Sequence, residues 1–286
     1  MAATGTTDSS AAAARRLHHA LERYHGMVYF VPEGRAEYRR LGLTGRMGYF
    51  ASRSAAFGAV GPDVVIATFF NFHPDLVRAA LPEAWTRAEP ARVLTARLTV
   101  ADGALRRLLG ARIGDADVAD AAALARRAAD ACRPHGRPLY AAHAQLPWPD
   151  EPHLQLWHAA TLLREFRGDG HIACLVEGGL DPVDALVLHA AHAGGMPSRQ
   201  VLQATRAWSD DEWASGVERL AARGWVDDDG SITDAGRGAR DSIERRTDEL
   251  ATAPWEVLDE QEVATLVTVG RELSRTIAAA GTFGPV

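Results

Sequence analysis

Apolar and polar positions are most informative between Leu156 and His171, LWHAATLLREFRGDGH. At helical spacing Leu156, Trp157, Ala159, Ala160, Leu162 and Leu163 make the segment apolar almost all round, yet His158, Thr161 and Glu165 fall at i, i+3 and i+7 on one face. A polar stripe on so apolar a helix predicts burial with partners, because an unpaired buried polar group costs roughly 1–3 kcal/mol. A second striped helix is predicted from Arg15 to about Val31. Leu17, Leu21, Tyr24, Met27 and Val28 share one side, and His18, Glu22, His25 and Tyr29 recur beside it. Gly168 predicts the end of the 156–167 helix, with Asp169 and His171 just beyond. The GDG segment has two readings. One is a helix stop and restart, Gly168 as a left-handed C′ residue and Asp169 as the next N-cap. The other is a site, since Arg164, Arg167, Asp169 and His171 gather guanidinium, carboxylate and imidazole in one short stretch.

Most of the remaining pattern is helical. Gly61-Pro62 opens a helix with proline where a first helical residue belongs, and Asn71-Phe72-His73-Pro74 predicts a helix-to-helix corner, because a residue before proline avoids the helical region. Arg53 is presented from a mostly buried segment, Gly45 to Phe57. The proline-rich Leu146–Pro152 delivers the chain to the central helix. After Asp181-Pro182 come a helix closed by Gly194-Gly195, a helix over 198–207, a helix opened by a Ser209–Glu212 capping box, a hairpin at Asp229-Gly230 and a helix from about Asp234 to Ala251. That is the order of a winged helix-turn-helix. The expected organisation is a disordered tail over 1–14, an N-terminal helical domain over 15–145, a winged-helix-like domain over 146–258, and a C-terminal helix and tail over 259–286. The class is mainly α, two helical halves with a small β-wing in the second.

Three landmarks recur between the halves: Tyr24-His25 and Trp157-His158, Gly61-Pro62 and Asp181-Pro182, Ala84-Trp85 and Ala207-Trp208. They read as a pseudo-duplicated, winged-helix-like pair, in which the two striped helices would face one another with a pocket between the halves.

Composition narrows the function. With 286 residues, 47 % hydrophobic and 24 % charged, the chain supports two ordinary cores. No apolar run approaches the roughly 18 residues of a membrane span, and residues 1–14 lack a signal h-region, so a cytoplasmic protein without a membrane partner is expected. Cys132 and Cys174 are isolated and give neither a disulfide framework nor metal spacing. Glu22-x-x-His25 is half of a helix-bundle di-metal motif with no second half, so neither metal nor organic cofactor is expected. Every basic residue is Arg, which weakens any one Arg as a sign of anion recognition. Charge is uneven: Asp181 to Leu258 holds eight Arg against fifteen Asp and Glu, a local −7 in a chain of −6.

Residues 181–255 resemble the MarR-like winged helix, through Arg219-Leu220-Ala221-Ala222-Arg223-Gly224-Trp225-Val226 and Ile232-Thr233-Asp234-Ala235-Gly236. The wider chain is similar to an actinobacterial helix-turn-helix family of unknown activity, through Gly48-Tyr49-Phe50-Ala51-Ser52-Arg53, Asn71-Phe72-His73-Pro74, the Leu163–His171 segment and Ala253-Pro254-Trp255. This resemblance implies a fold and no catalytic residues. The charges depart from a DNA reader. The third helix of the winged unit offers Asp210, Asp211, Ser215 and Glu218, and the wing tip is Asp227-Asp228-Asp229. Since phosphate neutralisation supplies nearly all nonspecific DNA affinity, DNA is a disfavoured partner.

The first function expected is therefore a small-molecule protein, binder or acid/base enzyme, with an anionic or polar ligand between the halves. His158, Glu165, Asp169 and His171 would hold or move a proton, and Tyr24, His25, Arg53, Asn71, His73, Trp157, Arg164 and Arg167 would line the site. The alternative is a ligand-responsive MarR-like transcriptional regulator. The C-terminal stripe Val263, Leu266, Val267, Leu273 and Ile277 covers the protein's own core or, as the second choice, pairs two copies in a homodimer.

Overall fold

Helices form where the apolar stripes run, and prolines start many of them. The computed structural model describes residues 4–192 and 197–283. The N-terminal part comprises α1 (Thr4–Gly26), α2 (Pro32–Arg40), α3 (Arg46–Ser54), α4 (Pro62–Phe69), α5 (Pro74–Arg78), α6 (Glu83–Arg87), α7 (Pro90–Leu109), α8 (Ala116–Asp130) and α9 (Pro138–Ala144). The long α10 (Pro152–Glu177) leads to α11 (Pro182–His192), α12 (Arg199–Arg206), α13 (Asp210–Ala222), α14 (Asp234–Glu249) and α15 (Glu260–Ala279). Proline sits in the first turn of α2, α4, α5, α7, α9 and α10, where its missing N–H would have had no helical partner. The protein is mainly α, and no strand is present among the described residues.

Apolar side chains gather in two clusters. The first takes Tyr24, Phe50, Leu105, Leu156 and Phe166 from α1 to α10 together with Leu266 and Ile277 of α15. The second takes Cys174, Val183, Leu188, Trp213, Leu220 and Ile243. The two meet along α10, so the 146–152 connector separates neither cluster. The stripe on α15 serves the protein's own core. Gly270, which interrupts that stripe, is where α15 touches α1: a Cβ there would lie 3.0 Å from Leu21 Cδ2, and one turn on Ser274 donates to the Ala20 carbonyl at 2.6 Å.

Several expectations are corrected. The tail expected over 1–14 is helical from Thr4, continued by the strong helix formers Ala11–Ala14 and anchored by buried Ala14 and Leu17. The helix expected to stop at Gly168 runs unbroken to Glu177, so Gly168 is no C′ residue and Asp169 caps no restart of α10. Gly170 is small for another reason: a Cβ would sit 1.9 Å from Arg137 Nη1, and that guanidinium bonds the Phe166 and Leu250 carbonyls, each at 3.0 Å. The β-wing is reduced to one isolated antiparallel bridge, Val226 with Ile232. The turn itself forms, with Gly230 at φ 84°. Pairing runs only as far as the Thr233 N–H, which donates to the Trp225 carbonyl at 3.1 Å, because Thr233 is already the N-cap of α14, its hydroxyl accepting from the Gly236 N–H. The pseudo-duplication is not confirmed: the stretches that carry its landmarks differ in length, α4, α5 and α6 having 8, 5 and 5 residues against 11, 8 and 13 for α11, α12 and α13. The predicted stop at Gly194-Gly195 lies outside the described residues.

Candidate functional site

The stripes of α1 and α10 meet face to face. His25 Nδ1 lies 2.9 Å from Thr161 Oγ1, and Thr161 donates its own proton to the Trp157 carbonyl, so Nδ1 carries hydrogen. Nε2 then accepts from the Tyr29 hydroxyl at 3.3 Å. Trp157 stacks on this ring and donates to the His25 carbonyl, and Tyr24 donates to that of His153. Burial, with help from Arg164, drives the His25 imidazole well below its ordinary pKa. Tyr24, His25 and Trp157, expected at the ligand, are thus spent on a neutral, hydrogen-bonded seam.

One turn further along α10 the seam becomes ionic and opens into a cavity of about 460 Å³, within the range of ligand pockets. Glu165, 1 % exposed, is held by Arg53 Nη2 and Arg164 Nη1, both at 3.1 Å, while Arg164 Nε also reaches Glu22 at 3.3 Å. Burial acts to raise the Glu165 pKa, but Arg53 and Arg164 outweigh it and keep the carboxyl below the usual carboxylate range. The residue to which the sequence assigns proton transfer is in this geometry the counter-ion that Arg53 and Arg164 share. Toward α14, Arg167 is shared by Glu244 at 2.9 Å and Asp248 at 3.0 Å, and Arg240 also pairs with Glu244. Burial opposes ionisation of Glu244 too, yet Arg240 helps bring it down to about 2. His171 Nδ1 lies 3.0 Å from Thr247 Oγ1, and burial pushes its imidazole down to about 4.

Arg206 differs from these paired charges. The α4–α5 corner places it: Phe70, at φ 57° and ψ −65°, makes a γ-turn in which the Asn71 N–H donates to the Phe69 carbonyl at 2.7 Å. This is a rare, strained backbone state costing on the order of 1–3 kcal/mol. It sends Phe69 and Phe72 into the first apolar cluster and Phe70 against the second. The corner then grips the end of α12. The His73 N–H donates to the Arg206 carbonyl at 2.9 Å, Trp208 Nε1 to the Asn71 carbonyl at 3.0 Å, and His73 Nε2 lies 3.0 Å from Glu212. The Arg206 guanidinium lies 4.5 Å above the Phe72 ring, and its Nε has no hydrogen-bond partner. Among the described residues it enters no ion pair. Its pKa is lowered by burial and by the cations Arg53, Arg46 and Arg164, against a raising effect from Tyr49. Asn71 Oδ1, Glu22 Oε2 and Arg167 Nε are likewise buried without a hydrogen-bond partner, Glu22 Oε2 lying 3.9 Å from His18 Nδ1, and all four side chains line the cavity.

A family model described as a helix-turn-helix family matches residues 14–284. The chain belongs to that helix-turn-helix family. No curated protein and no solved structure matches it. Within this helix-turn-helix protein, α12 and α13 are joined by the three residues 207–209, the length of a helix-turn-helix turn. The predicted capping box is present, Ser209 accepting from the Glu212 N–H. Arg206 therefore ends the first helix of the turn while its side chain faces the cavity.

The helix-turn-helix protein spreads the sequence-predicted residues over four places, one being the seam that holds Tyr24, His25 and Trp157. Arg53, Asn71, Arg164, Glu165, Arg167, Asp169 and His171 line the cavity. His73 is outside it, bonded to Glu212 at the junction with α13. His158, expected beside Glu165, faces a different cavity shared with His143, because two turns earlier, about 10 Å back along α10, the same face meets different neighbours. Arg206, Arg240 and Glu244 carry no periodic signal and were not anticipated. Among the described residues no three His, Cys, Asp or Glu side chains converge as a metal site, and no helix is long and apolar enough to cross a membrane.

Asp169 lines the cavity and also caps α9 from across the chain, its Oδ2 accepting the Tyr140 N–H at 3.0 Å. Burial raises its carboxyl to about 6, although the Tyr140 amide pulls the other way. A folded-state pKa raised for an acid means the folded form holds the proton longer. Its contribution favours folding at low pH and fades as pH rises from about 4 through 6. Asp169→Asn, which keeps the acceptor, should leave stability at pH 7 within about 1 kcal/mol and remove that component of the pH dependence. Urea unfolding at several pH values tests it, and a loss well beyond that at pH 7 would show that the charge itself holds α9.

The imidazoles act in the opposite direction. Burial brings His143, His158 and His171 each to about 4, against an ordinary value near 6.5. The unfolded chain takes up protons first, so the stability they confer is whole above about pH 6.5 and is lost as pH falls toward 4. Each contributes at most about 3 kcal/mol across that window. Replacing His171 with Gln should flatten the acid limb of a stability-versus-pH curve measured by urea unfolding. An unchanged slope would contradict its being buried neutral.

Proposed function

We propose that this helix-turn-helix protein is a receptor for a small anionic molecule, held in the cavity between the α1/α10 seam and the α11–α14 helices. One observation carries the reading: Arg206 presents an unpartnered, buried guanidinium nitrogen to a cavity whose other cations already have carboxylates. The residue as a whole is half-buried, and a guanidinium drawn partly out of water with no carboxylate beside it gains from any anion that pairs with it, a carboxylate or phosphate being its natural partner. The free Asn71 Oδ1 and Glu22 Oε2 call for hydrogen-bond donors, so the ligand bears hydroxyl or N–H groups beside its anion. Because Arg206 ends α12, the ligand would bias the position of the turn and of α13. A binding role is preferred over acid/base catalysis, since Glu165 is a committed counter-ion.

The experiment is a melting-temperature screen with small hydroxy- and amino-carboxylates and phosphate monoesters, repeated on Arg206→Gln. At about 100 times Kd a ligand adds roughly 2.7 kcal/mol of stability. Loss of one charge-assisted hydrogen bond should weaken binding by about ten- to a hundredfold. A hit that binds Arg206→Gln as well as wild type would refute this site.

Membership of a helix-turn-helix family favours a second reading, a DNA-binding regulator, of which a ligand-responsive, MarR-like form is the finer proposal. The exposed surface of α13 and of the following turn opposes it. Asp210, Asp211, Ala214, Ser215 and Glu218 face solvent, Arg219 is drawn back to Asp184 at 2.6 Å, and Asp227–Asp229 are exposed. Fluorescence anisotropy with mixed-sequence duplex at about 50 mM salt decides between them. Micromolar binding that weakens with added salt would establish the second reading.

A further inference from the structure

A second cavity, of about 280 Å³, lies between α7, α9 and the first half of α10, under the proline-rich 146–152 connector. Its walls are mostly apolar, including Leu94, Leu98, Pro147 and Trp157, and two imidazoles face into it, those of His143 and His158. They are 2 % and 5 % exposed, and in each Nε2 is buried without a hydrogen-bond partner. The state of His143 follows from its other nitrogen. Nδ1 lies 2.9 Å from the Leu139 carbonyl, which can only accept, so Nδ1 holds the hydrogen and Nε2 is a bare lone pair. His158 is steadied by Trp148, edge-on at 4.7 Å. Arg97 also borders the cavity, but its guanidinium is taken up elsewhere. It donates to the Ser52 carbonyl and the Tyr29 hydroxyl and lies over the Tyr29 and Trp157 rings.

We propose that this cavity is a separate binding site for a neutral aromatic molecule bearing a hydroxyl group, which donates its proton to His143 Nε2. The apolar lining calls for an apolar body. An apolar cavity of about 150 Å³ admits benzene, so the larger volume here has room for two fused rings. A buried lone pair calls for a donor, and a hydroxyl can donate to His143 and also meet His158, whichever tautomer the latter adopts. Neutrality is required because both imidazoles are uncharged at pH 7, burial having brought each to about 4, and Arg97 is committed. A carboxylate here would be buried without a counter-charge. The site stands apart from the anion cavity: none of the residues that carry that proposal borders this one.

The test is isothermal titration of the full chain at pH 7 with 2-naphthol, 2-methoxynaphthalene, naphthalene and 2-naphthoate. The expected order places 2-naphthol at least about tenfold tighter than the methyl ether or the hydrocarbon, the factor that one net hydrogen bond supplies, with 2-naphthoate weakest. In His143→Leu the naphthol advantage should vanish while naphthalene binding persists. Should that variant fail to fold, Leu98→Trp, which fills the cavity, should abolish binding of all four. Equal affinity for the three neutral probes, tighter binding of 2-naphthoate, or no binding of any probe would each overturn the proposal.

Discussion

Replacing Glu165 with Gln should lower the stability of this protein by about 3–5 kcal/mol, the largest loss expected from any single polar substitution. The carboxylate is 1 % exposed and is the shared counter-ion of Arg53 and Arg164. Gln keeps the volume and some hydrogen bonding but leaves two half-buried guanidiniums without their shared anion, with Glu22 alone to balance Arg164. Urea unfolding followed by circular dichroism gives the number. The control is Glu165→Gln combined with Arg53→Met, which removes one cation with the anion and should recover part of the loss, since residues in one ionic network are not additive. A single variant within about 1 kcal/mol of wild type would mean the pair behaves as a solvated surface bridge.

Gly236→Ala should be nearly as damaging, and for a steric reason. A Cβ at this position would lie 2.0 Å from the Trp225 carbonyl oxygen and 2.8 Å from its carbon. The obstacle is backbone, so it cannot rotate away. Trp225 must retreat, which breaks the bond from the Thr233 N–H to its carbonyl and strains the Val226–Ile232 bridge next to it. Overpacking of this kind costs about 1–3 kcal/mol or more, and the lost hydrogen bond adds about 1 kcal/mol. The damage should concentrate in the α11–α14 unit. Native-state hydrogen exchange should show loss of protection in α13 and α14 while α1, α8 and α15 keep theirs. Unchanged protection throughout would mean that the turn adapts.

Gly236 also shows what the sequence made legible. It sits in the Ile232-Thr233-Asp234-Ala235-Gly236 run that resembles a winged helix, and its smallness has a local cause. Helix starts were readable because proline and capping boxes act within one turn, as at Pro62, Ser209 and the His73 corner. The stripes on α1 and α10 were readable from periodicity, and the burial of the second with its Glu165, whereas nothing local said that the polar face of α1 is buried against it. The continuity of α10 through Gly168 was not readable, because the packing that asks for a glycine acts at Gly170 and comes from Arg137, distant in sequence, while a Cβ at Gly168 would meet only Glu165 Oε2 at 3.6 Å. Nor was the division of the polar stripe between two cavities: helical spacing places His158, Thr161 and Glu165 on one face but does not say which neighbour ends where. Arg206 was hidden for a related reason. In a chain whose only strong base is arginine, nothing local separates the guanidinium left without a carboxylate from those that have one. That distinction arises only when the Phe69–His73 corner meets the end of α12.

The anion site can be observed directly by soaking crystals of the full chain in sodium bromide and recording anomalous diffraction at the bromine edge. The expected result is a bromide in the cavity within hydrogen-bonding reach of Arg206 Nε, lost in crystals of Arg206→Gln. Bromide confined to the exposed arginines, with no anomalous density near Arg206, would contradict the assignment of this cavity as an anion receptor.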